Sequence, residues 1–387
     1  MSTITATEVK KRSLSNLDPW FALASLLLLG MGLIMVTSAS MPLADSLMGK
    51  PFYYAIHHAI YLGAGLVALV LAFCTPLRFW YHCAPWFLGI TILFLIIVII
   101  PGVGREVNGS MRWVQLGPIT VQASELAKLA FIFFMARYIT QNHKSLKREA
   151  AAFIKPMLCL GVCAVLLLLE PDFGATVVMS STALLMLFLA GANLLPFFML
   201  LGGVAVAFVL LVISAPYRLE RLVSFLDPWA DPFATGYQLT QALIAFGRGE
   251  WFGLGLGNSV QKLLYLPEPH TDFVFSVLAE EFGLVGSVSV LVLYCVWLFR
   301  VSLMARIAQA RGEIFLAFVS IGIMAWVGLQ AFINMGVNSG MLPTKGLTLP
   351  FISYGGNSLL LLCAALGILA RIDVELKREQ PTPLIKL

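Results

Sequence analysis

Long apolar stretches alternate with short polar ones along nearly the whole chain. The apolar runs fall at about 20–40, 56–74, 83–101, 123–140, 156–169, 173–190, 194–214, 271–299, 314–337 and 350–371. Each approaches the ~20 apolar residues that a helix needs to cross a bilayer. The runs are long and unbroken, and Phe87–Ile100 carries no charge. Strands of a membrane barrel would instead be short and alternating, so the runs predict helices. The pattern predicts an all-α polytopic membrane protein with ten transmembrane helices. A cytoplasmic N-terminal tail, 1–19, leads into a ten-helix membrane domain, 20–371, and a cytoplasmic C-terminal tail, 372–387, follows. The first run is too long for a signal-peptide core and reads as a retained anchor.

The basic residues test this topology. With the N-terminus inside, 16 of the 25 Lys and Arg residues fall on the cytoplasmic side, eight fall outside, and Lys128 lies within a span. That asymmetry fits ten helices with both termini in the cytoplasm. One outer loop, 215–270 between helices seven and eight, is much longer than the rest. Its Trp229, Phe233, Tyr237, Phe246, Trp251 and Phe252 predict an ordered, partly membrane-dipping cap. Within it, the glycine-rich stretch Gly247–Gly257 reads as a flexible hinge. Its Gly253, Gly255 and Gly257 follow no strand, which argues against a nucleotide-binding turn.

Composition adds an exclusion. The chain has 387 residues, of which 59% are hydrophobic and 12% charged. A soluble domain carries about 25% charged residues. Mean hydropathy is +0.90, so soluble and disordered classes are excluded. The net charge of +5 belongs to the loop asymmetry rather than to nucleic-acid binding. The six cysteines lie in or beside apolar runs and read as small packed hydrophobes.

Ionisable groups inside or beside spans need a reason. Glu125 and Lys128 sit three residues apart at the start of the fourth span, on one helical face. They read either as a buried pair that fixes the helix or as the wall of a polar cavity for an anionic substrate. The preceding loop places Arg112 and Trp113 at the outer surface, and Arg suits phosphate oxygens. Glu170-Pro171-Asp172 reads as a tight acidic outer turn, which solvation explains as readily as function does. The richest segment is Leu266-Pro-Glu268-Pro-His270-Thr-Asp272-Phe273. Asp272 enters the eighth helix there, either as its N-cap or as a general base in a half-buried cleft. Helical spacing sets Glu281 on the opposite side of that helix from Asp272.

Four segments together carry a resemblance. Asn108-Gly-Ser-Met-Arg-Trp-Val-Gln-Leu-Gly-Pro118, Gln122-Ala-Ser-Glu-Leu-Ala-Lys128, Leu266-Pro-Glu-Pro-His-Thr-Asp272-Phe and Leu349-Pro-Phe-Ile-Ser-Tyr-Gly-Gly356 resemble the SEDS family (shape, elongation, division and sporulation), in order and across most of the chain. Pro343-Thr-Lys-Gly-Leu-Thr-Leu-Pro350 and Gln261-Lys262 resemble its cell-division branch. Ala123 stands where the family usually has Pro.

The resemblance implies a peptidoglycan glycosyltransferase of the bacterial inner membrane, acting at the septum. It would polymerise lipid II, a disaccharide on a polyprenyl pyrophosphate, beside a class B penicillin-binding protein and other divisome proteins. It also implies that Asp272 is essential, and it points to Glu125 and Lys128. In the implied reaction Asp272 takes the proton of an acceptor hydroxyl. Arg112 and Lys128, with Lys262 and Glu268 as weaker substrate contacts, meet the pyrophosphate and sugar directly or through a divalent cation. A lipid-linked precursor flippase and a non-catalytic divisome scaffold are the alternatives. The ionisable groups gather at one face, against the first, and a scaffold leaves the acid–base cluster unexplained.

Overall fold

The computed structural model describes residues 17–100, 104–107, 110–116, 119–149, 151–192, 225–234, 236–343 and 346–377, with isolated positions between 198 and 213. Helices α1 (Pro19–Met48), α2 (Tyr53–Cys74), α3 (Leu77–Ile99), α4 (Ala123–Arg148), α5 (Ala151–Leu169) and α6 (Phe173–Leu189) form the first half. Helices α7 (Tyr237–Gly249), α8 (Val274–Ala310), α9 (Ile314–Asn338) and α10 (Gly356–Leu376) follow. Nine of the ten expected spans thus have a helix at their place. The seventh, about 194–214, lies mostly outside the described residues. Among the described helices, six are long and apolar enough to cross a membrane, while α6 has 17 residues.

The bounds shift for physical reasons. Asp18 caps α1, accepting a hydrogen bond from the Phe21 amide at 3.0 Å, with Pro19 at the first helical turn. Helix α4 outruns its apolar stretch to Arg148 across a kink at Asn142 (φ −118°, ψ 22°), and the piece beyond the kink holds good helix formers, among them Lys144, Lys147 and Arg148. Asp18, Arg300, Asp373 and Lys377 tie α1, α8 and α10 together at one end of the bundle. Deeper, Trp297 donates to the Ser25 hydroxyl at 3.0 Å, so a large buried ring keeps its N–H satisfied. No cysteine is paired in a disulfide.

Two features depart from what the sequence predicts, the first of them from its all-α class. Strands β1 (Gly104–Val107), β2 (Ser110–Leu116) and β3 (Ile119–Gln122) form an antiparallel sheet in the order β1-β2-β3. Trp113 pairs with Gln122 and Val114 with Val121. The alternation in Ser110-Met111-Arg112-Trp113 was the signal, too short to stand out between two long apolar helices. The sheet runs directly into α4 and carries Arg112 in its central strand.

The second departure concerns the glycine stretch, which is a lock rather than a hinge. Helix α8 breaks at Gly283 (φ 65°, ψ −161°). The segment after α7 fills the break with its own backbone. Leu284 and Val285 donate to the Glu250 and Trp251 carbonyls at 2.9 and 3.1 Å, and Leu254 and Gly255 donate to the Glu280 and Glu281 carbonyls at 2.9 and 3.0 Å. A broken helix at membrane depth is tolerated only when such freed groups are satisfied. The approach leaves no room for side chains: a Cβ on Gly253 (φ 79°) would lie 2.2 Å from the Glu281 carbonyl oxygen. Gly257 (φ 85°) has open space around it. Gly257→Ala should therefore cost only its backbone strain, about 1–2 kcal/mol. Gly253→Ala should cost clearly more, because two backbones must also separate. Melting curves of the two variants side by side check this, and equal losses would mean the lock is not tight.

Candidate active site

The segment that follows the lock is pinned by two adjacent buried acids of α8. Glu280 accepts from the Ser259 hydroxyl and from the Val260 and Gln261 amides, both at 3.1 Å. Glu281 accepts from Ser38 of α1 at 2.6 Å and from Lys262 at 2.7 Å, and Lys262 also donates to Ser38 at 2.8 Å. Burying these acids without partners would be prohibitive. With them, the chain from Ser259 to Lys262 is clamped to α1 and α8. Lys262, expected as a substrate contact, is placed instead in this buried pair, where its charge is matched by Glu281.

Asp272 stands just before α8. The N-cap reading does not hold: the cap is Phe273, with no side-chain capping bond, so the Asp272 carboxylate does not cap the helix. Its main-chain carbonyl is clamped by two carboxamides of α9, accepting from Asn334 Nδ2 and Asn338 Nδ2, both at 2.9 Å. Asn338 Oδ1 in turn accepts from the Ser276 amide and hydroxyl at 3.1 and 2.8 Å, and Asn334 donates to the Leu347 carbonyl at 2.5 Å. One carboxylate oxygen faces the backbone of Gly346, where an added Cβ would lie 3.1 Å away. Asp272 precedes the helix, so helical spacing from it to Glu280 and Glu281 loses its meaning. Both of those acids serve the clamp.

The charges around Asp272 are the ones the sequence singled out. Burial pushes its carboxyl up to about 7, the nearby Glu268 carboxylate pushes the same way, and Arg112 opposes them. Glu268 is exposed and has a left-handed backbone (φ 50°). Arg112 reaches from β2 to the turn after α5, donating to the Pro171 carbonyl at 2.7 Å and the Glu170 carbonyl at 3.5 Å. That turn is not simply solvated. Glu170 and Asp172 are 1% and 4% exposed. Asp172 caps α6 through the Ala175 amide at 3.1 Å. Burial first, then Asp172, raises the Glu170 carboxyl to about 8 against the pull of Arg112. Solvation stayed open for this turn because its sequence shows an acidic tripeptide but not Arg112 reaching it from β2.

Glu125 and Lys128 meet as expected, at 2.8 Å, with Lys128 only 2% exposed. Lys128 also donates to Gln330 Oε1 at 2.9 Å and lies over the Trp326 ring, 5.2 Å from its centroid. Gln330 Nε2 donates to the Thr348 carbonyl at 3.0 Å. Gln330, Asn334 and Asn338 therefore form a ladder on one face of α9, joining the ion pair to the backbone at Leu347–Thr348 and to Asp272. Sequence reading missed these three. Their signal was carboxamides at i, i+4 and i+8 in an otherwise apolar span. Among the described residues, no group of three or more His, Cys, Asp or Glu is arranged to hold a metal ion.

Comparison with known proteins bears on the family and the fold. The FtsW/RodA/SpoVE family, described as cell cycle protein, matches residues 19–378. The chain is 50% identical over 374 residues to the probable peptidoglycan glycosyltransferase FtsW of Thioalkalivibrio sulfidiphilus, covering 97% of this chain and 94% of that one. It is also 50% identical over 367 residues to the probable peptidoglycan glycosyltransferase FtsW of Coxiella burnetii, covering 95% and 99%. Among solved structures, a chain of a peptidoglycan synthase complex that coordinates polymerization and crosslinking superposes with a TM-score of 0.75 at 29% identity, covering 94% of this chain and 99% of that one. The rod shape determining protein RodA of Thermus thermophilus gives 0.70 at 27% identity, covering 94% and 98%. The sequence motifs, the matched length and the shared fold agree, and the chain belongs to the FtsW/RodA/SpoVE family of cell cycle proteins.

Proposed function

We propose that this protein is a peptidoglycan glycosyltransferase that polymerises lipid II into glycan strands during septal cell-wall synthesis. The observation that carries the reading is the setting of Asp272. Its backbone is clamped by Asn334 and Asn338, while its carboxyl, which does not cap α8, is pushed up to about 7 by burial. A general base works best with a pKa near the working pH. In the reaction, the acceptor hydroxyl attacks the anomeric carbon of the donor and its proton passes to Asp272. The new glycosidic bond forms as the bond to pyrophosphate breaks, with inversion. Arg112 stands beside Asp272 to meet the pyrophosphate, and Glu268 to contact the sugar. Glu125 and Lys128 support the wall behind them. A divalent cation is compatible with the leaving group's charge.

The rest of the proposal concerns placement. Ten helices cross the bacterial inner membrane with both termini in the cytoplasm, and the 215–270 loop caps the outer face between helices seven and eight. A class B penicillin-binding protein and other divisome proteins work beside it at the septum, the former cross-linking the product. The deciding experiment gives purified protein labelled lipid II. Glycan chains support the proposal; transbilayer movement without chains would make it a flippase, and neither would leave a scaffold.

The pH profile is a separate test. Only the charged carboxylate accepts the proton, so activity should fall as pH drops below about 7. Glu268→Gln removes a charge that raises the Asp272 carboxyl, so the acid limb of the kcat/KM profile should move to lower pH. Arg112→Ala should move it the other way. A profile that neither substitution displaces would separate these residues from the titrating group.

A further inference from the structure

Beside Asp272 lies a cluster of rings that the reaction, as derived above, does not use. Tyr53, Tyr54 and His57 stand at the start of α2, and Tyr354 follows the Leu349–Ser353 turn. Tyr53 and His57 have ring centroids 4.2 Å apart, Tyr53 and Tyr54 5.3 Å, and Tyr54 and Tyr354 5.5 Å. The cluster is joined to the catalytic loop directly. The Tyr54 ring lies 4.6 Å from that of His270, Tyr354 lies 5.4 Å from it, and the Tyr354 amide donates to the His270 carbonyl at 2.9 Å. Asp272 is two residues further on, at most about 7.6 Å of chain.

Two properties set this cluster apart from packing. Its tyrosines are half-buried rather than enclosed, so part of each ring's surface remains accessible at the end of the bundle that holds Asp272. It also has polar capacity that the protein leaves unused. Among the described residues, Nδ1 of His270 and both ring nitrogens of His58, which lies 6.0 Å from Tyr354, are buried and find no hydrogen-bond partner. The Glu268 carboxylate lies within electrostatic reach of Tyr54. Aromatic faces with a few convergent polar groups are how a binding site holds a ligand that is apolar on one side and polar at its rim. A pyranose has that form: C–H bonds on its faces, hydroxyl and amide groups around its edge.

We propose that Tyr53, Tyr54 and Tyr354 form a saccharide subsite, on which a sugar ring of the lipid-linked disaccharide stacks while Glu268 meets its rim. The subsite rests on the glycosyltransferase reading and deepens it. It gives the protein a grip on the sugar separate from any grip on the pyrophosphate or lipid, and it delivers that sugar within reach of Asp272.

The test compares two ligands. Binding of labelled lipid II and of the sugar-free polyprenyl pyrophosphate is measured in the Asp272→Asn background, where turnover does not interfere. Tyr54→Ala should weaken lipid II binding about tenfold, or about 1.4 kcal/mol, and leave polyprenyl pyrophosphate binding unchanged. Tyr54→Phe, which keeps the ring, should recover most of the lost affinity. Tyr53→Ala is the second variant should Tyr54→Ala fold poorly, and the same selective loss is expected of it. Equal weakening of both ligands, or of neither, would overturn the subsite. The wider reading fails differently: the unsubstituted protein would then make no glycan from lipid II, whatever the tyrosine variants bind.

Discussion

Asp272→Asn is expected to lower glycan polymerisation by about 10²- to 10⁴-fold, the range that base catalysis supplies, while the protein stays folded. The substitution keeps the size and the main-chain carbonyl that Asn334 and Asn338 hold, so the loop should not move. Stability should even gain at high pH. The folded carboxyl is raised to about 7 from an ordinary value of 3.8, so the folded state binds its proton more tightly than the unfolded state. Such a group contributes its stability in full below about pH 4 and loses it as pH rises through about 7. The neutral Asn escapes that loss. Melting curves at pH 4.5 and pH 8 should therefore show the variant gaining on the parent at the higher pH. Retained polymerisation would remove Asp272 as the base. Lost polymerisation together with lost stability at both pH values would make it a structural residue instead.

Much of this site was legible in the chain, for reasons that differ by residue. Charged groups in apolar surroundings stand out, so Glu125, Lys128 and Asp272 could be read before any coordinates. Spacing fixed the contact of the first two because both lie on one helix, where geometry is local. It failed for Asp272 and Glu281, because Asp272 lies before the helix begins and a periodicity argument has no meaning across that boundary. The buried pairing of Lys262 was hidden for a related reason. A lysine near a catalytic motif suggests an anion site, but its partner, Glu281, lies across a loop whose path depends on the break at Gly283. The three glycines Gly253, Gly255 and Gly257 suggested freedom, whereas for Gly253 and its counterpart Gly283 the absent side chain serves close backbone contact. Glycine in a sequence states what a position lacks, not which of the two uses follows. The α9 carboxamides carried a readable period, yet single uncharged polar residues in a span are common enough to pass unnoticed.

Glu125 and Lys128 test whether that part of the site acts as a unit. Each alone is a charge in a place water does not reach: Glu125 is 6% exposed and Lys128 2%. Removing one partner strands the other, at a cost of about 3–5 kcal/mol. Lys128 has a second acceptor in Gln330 and the Trp326 ring beneath it, whereas Glu125 Oε2 is buried and finds no partner among the described residues. Glu125→Ala should therefore be the milder of the two single changes, since the lysine keeps part of its environment. Lys128→Ala leaves a bare carboxylate and should be the harsher. The double Ala variant removes both stranded charges, so it should be no less stable than Lys128→Ala alone, and a double-mutant cycle should show a large coupling. Activity separates the structural from the functional role. If the pair only fixes α4, polymerisation should return in the double variant along with stability. If Lys128 holds Gln330, and through the α9 ladder the backbone at Leu347–Thr348 beside Asp272, then the double variant folds but stays slow. We expect the second outcome, because the ladder runs from the ion pair to the catalytic carboxylate's own backbone. Additive stability losses, or full activity in the double variant, would detach the pair from the site.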